Sequence, residues 1–295
     1  MSSTNHNPLV SVCVITFNQE AYIEECLKSI LCQETKFEFD IVVGEDCSSD
    51  ATAKIIESLS NNHQNIQLLD NHINLGVLPN FIRTLNECKG KYIAFCEGDD
   101  YWIDAHKLQK QVDFLEANKQ YGGVSTNNRW FFEKENTFKD SLLDEGEITF
   151  KDLCHSNLIN SQTILFRREL VRNIDWMKRL KIGDWALHLL VTSQQPYYRL
   201  SDITTVYRVH EGGTHSLLKE EFKIRNRIEV LITILKHVDL TLKRKDLVKA
   251  SIRDLLKKLM NYNSKDLKAA RNKYFEYGGS FFNKTIFKSY IHELF

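Results

Sequence analysis

From residue 9 to residue 96, short apolar runs alternate with segments whose apolar residues recur at helical spacing, and this alternation limits the chain to few folds. Residues 9–15, 39–43, 66–69 and 92–96 are apolar and read as strands. Between them, residues 20–31 place Tyr22, Ile23, Cys26, Leu27, Ile30 and Leu31 on a helical repeat. A second helix carries Ile55, Ile56 and Leu59 behind Asp50, a favoured cap residue, and a third covers 78–88 and stops at Lys89-Gly90. Strands joined through helices of about ten residues form right-handed parallel βαβ units. The pattern predicts a doubly wound α/β sheet whose strands end along one edge.

Beyond residue 102 the pattern loosens. It predicts a helix over 105–118, an extended segment over 124–132, a polar loop over 133–146, short strands over 162–166 and 203–209, and a helix over 184–192 between those strands. From 217 onward three helical patterns follow, at 221–237, 245–260 and 265–277. With 295 residues, 42% hydrophobic and 26% charged, the chain can bury a sizeable core. The expected division is a sheet domain over 1–216 and a helical extension over 217–295.

The formal charge of zero conceals an asymmetry, because residues 217–295 hold 18 Lys or Arg against 9 Asp or Glu. The acidic part is expected to hold metal chemistry and the basic part to face something anionic. No apolar stretch approaches the roughly 18 to 20 residues that span a bilayer, and residues 1–7 lack the regions of a signal peptide, so a cytoplasmic protein is expected. The seven cysteines show no Cys-x-x-Cys spacing and lie largely in apolar runs, which predicts buried thiols rather than disulfides or zinc.

Chemistry concentrates at Glu97-Gly98-Asp99-Asp100-Tyr101-Trp102, directly after the fourth strand. Three carboxylates on a strand-end turn make an oxygen site for a hard divalent cation, and open α/β sheets bind ligands beyond the carboxyl ends of their strands. Such a cation could carry a diphosphate. Thr16, Phe17 and Asn18 leave the first strand, where a hydroxyl, an aromatic face and an amide can meet a nucleobase. At the end of the second strand, Asp46 can accept from the imide N–H of uracil or from a ribose hydroxyl. Asn74, Gly76 and Asn80 bring backbone close to a nucleoside, since glycine permits close approach.

These segments, in this order with Gly183-Asp184-Trp185 and Tyr207-Arg208-Val209-His210, resemble the family 2 inverting glycosyltransferases over residues 8–216. The resemblance implies a GT-A fold and a nucleoside diphosphate sugar donor, with uridine favoured. It implies that Asp46 reads the base, that the acidic turn is the family's metal motif with Glu97 in place of its first Asp, and that Asp184 is the catalytic base. Under that reading Asp99, Asp100 and His210 hold Mn²⁺ or Mg²⁺, while Trp102 shapes the sugar pocket and Arg208 and His215 touch phosphate oxygens. The alternative, less favoured, is that Asp184 caps the helix it heads.

The expected reaction is one inverting displacement, in which Asp184 takes the proton of an acceptor hydroxyl on a glycan or lipid-linked glycan. Surface-polysaccharide assembly is the setting the resemblance implies. No nucleic-acid partner is expected. The basic helices could lie on an anionic membrane, although the stripe Ile228, Leu231, Ile232 and Leu235 is better explained by packing. A sugar-phosphate nucleotidyltransferase would want a Gly-rich basic loop after the first strand, where Thr16-Phe17-Asn18-Gln19-Glu20 stands. A non-catalytic sugar-nucleotide or glycan-binding protein of the same fold would lack the acids at 99 and 184.

Overall fold

A computed structural model describes residues 8–69, 71–212, 219–260 and 267–280. The first half runs β1 (Val10–Thr16), α1 (Ile23–Leu31), β2 (Phe39–Glu45), α2 (Thr52–Asn62), β3 (Ile66–Leu69), α3 (Val77–Glu87) and β4 (Tyr92–Glu97). These four strands are mutually parallel in the order β3-β2-β1-β4. Then come β5 (Tyr101–Trp102), α4 (Lys107–Ala117), β6 (Gly123–Phe132), β7 (Thr137–Ser141), β8 (Gly146–Ile148), α5 (Phe150–His155), β9 (Leu165–Arg167), α6 (Asp184–Thr192) and β10 (Tyr197–Val209). Strand β9 lies antiparallel between β4 and β6, and β10 continues the sheet beside β6, giving ten strands of mixed direction among the described residues.

Strand periodicity divides the core. Val10, Val12 and Val14 face one side with Leu27 of α1, Ile56 of α2 and Leu108 of α4, whereas Cys13 faces the other with Ile82 of α3 and Trp185 of α6. Each fully buried Leu, Ile or Val contributes roughly 1.5–3 kcal/mol of transfer free energy. The C-terminal helices α7 (Glu220–His237), α8 (Leu242–Met260) and α9 (Leu267–Glu276) join the second core. Ile228 and Leu231 are buried there, with Ile232 and Leu235 packed against it, so the stripe is spent on packing. The expected division at 216 falls among residues outside the described ones.

Three local expectations are corrected. Residues 133–146 are not all loop: β7 pairs antiparallel with β6, and Phe138 stacks on Phe131 at 4.5 Å. Asp50 is one residue too early for the cap position, which is Ala51, yet its Oδ1 accepts from Thr52 N at 2.9 Å and so still serves the first turn of α2. Gly90 does not end α3 by a left-handed turn. It lets the chain lie against β1, where the Ser11 hydroxyl accepts from Lys89 N and Gly90 N. All seven cysteines are free, and five are buried.

Beneath the acidic turn lies a fully buried Lys107, its Nζ 4.1 Å from the centre of the Trp102 ring and donating to Gln111 Oε1 at 2.8 Å. Burial pushes its ammonium down to about 7. Gln111 in turn donates to Val124 O and Thr163 O, tying α4 to β6 and to the turn at Ser161–Thr163.

Candidate active site

Parallel register brings the ends of three strands together, since Thr16 lies opposite Glu45 and Ile15 opposite Glu97. At that edge opens a cavity of about 480 Å³ lined by Glu97, Asp99, Asp184 and His210, with Trp130 and Tyr207 as an aromatic wall. The acids come from the β4 turn and from the first residue of α6, so two distant stretches of sequence share one space. Asp184 is not used as a cap: Gly183 holds that position and no side-chain cap bond is made. Instead Asn157 Nδ2 donates to Asp184 Oδ2 at 2.7 Å.

The carboxylates crowd one another. Ligand oxygens of Glu97, Asp99 and Asp100 lie within 4.8 Å of each other. Burial, then Asp99 and Asp184, push Glu97 up to about 8, and burial, then Asp99 and Glu97, raises Asp100. His210 Nε2 sits 3.0 Å from Asp99 Oδ2, a contact that raises the imidazole. Asp100 accepts from Arg208 N at 2.8 Å, and its other oxygen is buried without a partner. This set holds more negative charge than it can ionise, with an imidazole and an orphaned carboxyl oxygen alongside. A hard divalent cation fits that donor set.

The edge at which the sequence places a nucleotide is organised differently. Glu45 accepts from Cys47 N and Ser48 N, and Asp46 accepts from Leu75 N at 2.8 Å, Gly76 N at 2.9 Å and Asn71 Nδ2 at 3.2 Å. Asn74 Nδ2 donates to Asp46 O, and Gly76 takes a positive φ of 86° as α3 begins. Asn18, at φ 51°, accepts from Ser49 N, and Phe17 stands 44% exposed beside it. Gly98 packs so closely on β1 that an added Cβ would lie 2.8 Å from the Thr16 hydroxyl.

Residues 11–175, more than half of the chain, match the sequence profile described as "Glycosyl transferase family 2". The chain belongs to that family. An uncharacterised protein of Mycobacterium tuberculosis is 31% identical over 208 residues, which make up 69% of this chain and only 60% of the relative. The Escherichia coli UDP-Glc:alpha-D-GlcNAc-diphosphoundecaprenol beta-1,3-glucosyltransferase WfaP is 28% identical over 206 residues, 70% of this chain and 79% of WfaP. S. aureus TarS 1-349 in complex with UDP aligns with a TM-score of 0.66 at 18% identity, covering 96% of this chain and 91% of TarS 1-349, a likeness of the GT-A fold.

In this family 2 chain, the cavity gathers Glu97, Asp99, Asp184, Arg208 and His210, but not Thr16, Phe17, Asn18, Asp46, Asn74, Gly76 or Asp100, which are outside its lining. Two expected binding residues are misplaced. Asn80 is buried between α3 and β2, its amide donating to Gly44 O at 2.7 Å. Trp102 lies on the far side of the sheet above Lys107, because successive residues of β5 point opposite ways. Arg208 reaches the cavity, yet its guanidinium is committed to Asp99 O at 2.9 Å and Glu25 at 2.5 Å, among the Tyr22, Tyr101 and Phe131 rings. His215 lies outside the described residues.

Sequence reasoning passed over Asn157, Ser161, Trp130, Lys181, Lys223 and Arg227, all of which line the cavity. Ser161 donates to Glu97 Oε1 at 3.4 Å. Of these, only the polar residues 156–157 and 160–163, set between apolar ones, carried a readable signal.

Proposed function

We propose that the chain is a glycosyltransferase that moves a sugar from a uridine diphosphate donor to a hydroxyl of a lipid-linked glycan, with inversion and with Mn²⁺ or Mg²⁺. The observation that carries this reading is the opening of Asp99 and Asp184 into one cavity. Glu97, Asp99, Asp100 and His210 would hold the cation, and a cation bound there supplies neutralisation of the charge on a departing diphosphate. Asn157 fixes Asp184 Oδ2 and leaves Oδ1 to take the proton of the acceptor hydroxyl. That hydroxyl then attacks the anomeric carbon from the face opposite the leaving group. The names of the Escherichia coli relative and of a Campylobacter jejuni relative, both diphosphoundecaprenol-linked glucosyltransferases, favour a lipid-linked acceptor. Among the described residues no helix is long and apolar enough to cross a membrane.

The test is release of nucleoside diphosphate from a panel of nucleotide sugars, with and without EDTA, followed by NMR assignment of the product anomer. We expect release from a UDP-sugar, abolished by chelation and restored by Mn²⁺. Chelator-insensitive release would remove the metal, a retained anomer would remove the single displacement, and equal use of guanosine donors would remove the uridine preference.

A further inference from the structure

Two cavities meet at Arg227. The one that holds Asp99 and Asp184 is also lined by Lys181 and Lys223, and a second, of about 400 Å³, is lined by Arg227 together with His155, Lys257 and Lys258. Lys181 stands three residues before Asp184, Lys223 and Arg227 are one turn apart on α7, and Lys257 and Lys258 are on the last turns of α8. Cations therefore line the cavity that holds the proposed base and continue through Arg227 into the second cavity.

These cations have little protein to neutralise them. Among the described residues, the ammonium groups of Lys181, Lys223 and Lys258 make no hydrogen bond or ion pair, and that of Lys257 pairs with Asp254 at 3.1 Å and lies 5.8 Å from the Tyr274 ring centre. Arg227 donates to His155 O and lies 5.4 Å from the Trp185 ring centre, which leaves most of its five N–H donors uncommitted. Glu220 in the first cavity and Asp254 in the second are the acids on these walls away from the Glu97, Asp99 and Asp184 group. A half-enclosed cationic cleft of this kind favours multiply charged oxyanions, with Arg offering a fork and Lys point charges.

We propose that Lys181, Lys223 and Arg227 form a binding site for phosphate groups of the acceptor, continued toward Lys257 and Lys258. This rests on reading the Asp184 end of the cavity as the acceptor end. The ligand chemistry is a diphosphate or phosphodiester, which a lipid diphosphate or a polyol phosphate chain would each supply.

The experiment measures binding of farnesyl diphosphate and of poly(glycerol phosphate) to the full chain by calorimetry in EDTA, which keeps cation-dependent binding out. We expect both charge-reversed K181E/K223E and neutral K181M/K223M to weaken binding, the former at least tenfold. The same reversal at exposed positions away from both cavities, K36E/K54E, changes it less than twofold. A further loss with K257E/K258E confined to poly(glycerol phosphate) identifies the polymer as the source, and tighter farnesyl diphosphate binding identifies the lipid; either supports the site. Equal losses in K181E/K223E and K36E/K54E, or no binding of either probe to the parent chain, overturn it. Because no donor or turnover is involved, phosphate binding without nucleoside diphosphate release would sink the transferase reading, and with it the assignment to an acceptor, while leaving the phosphate site standing.

Discussion

The two acidic groups at the carboxyl edge of the sheet differ in how their charge is used. At the rim, Glu45 and Asp46 receive five N–H bonds, four from backbone and one from Asn71, and are almost fully buried. Across the sheet edge, Glu97, Asp99 and Asp184 face a cavity, repel one another, and leave Glu97 up at about 8. Carboxylates that are satisfied by the chain hold the chain in shape, and carboxylates that are left in conflict are available for something else.

Replacing Asp184 tests that contrast most severely. D184N is expected to lower transfer about 10²- to 10⁴-fold, the range for a general base, while leaving the melting temperature unchanged or higher because a crowded charge is removed. Transfer and stability falling together would make Asp184 a structural residue. For the rim, D46A leaves Leu75 N and Gly76 N without partners and is expected to cost about 1–3 kcal/mol in chemical denaturation. If D46A unfolds like the parent chain but loses nucleotide binding, the rim is a ligand site first and the contrast breaks.

Lys107 gives the smallest and most graded effect. Its folded value of about 7 lies below the ordinary 10.5, so between those values the unfolded chain binds more protons and stability rises with pH. The stability of the parent chain relative to K107M should therefore climb by about 1 kcal/mol per pH unit from pH 7 to 9. A difference that stays flat would show that the ammonium is solvated.

The first four strands and their helices were legible because both faces of that sheet are buried and the apolar period is undiluted. Helix α6 was legible from its apolar run. Strand β7 was not, since four of its five residues are exposed and carry no alternation. Strand β10 extends upstream of the expected segment because register shifts between Arg199 and Thr205 let polar residues interrupt it. At the site, residue type could be read but not side: Trp102 and Asn80 have the chemistry of a binding residue and point into the core. Lys181 and Lys223 belong to no motif, and only the packing of α7 against α6 brings them together.

Under the proposed function, Gly98 has a consequence for which donors can be accepted at all. The distance from a nucleobase to its second phosphate is fixed by covalent bonds, so a protein that grips both must hold its two grips at a matching separation. With only a hydrogen where other residues carry a side chain, Gly98 sets the carboxylate turn directly on the end of β1, and under the proposed function it would act as the gauge of that separation. One methyl group there would press on the Gln19 and Thr16 side chains and, under the proposed function, would lengthen the gauge.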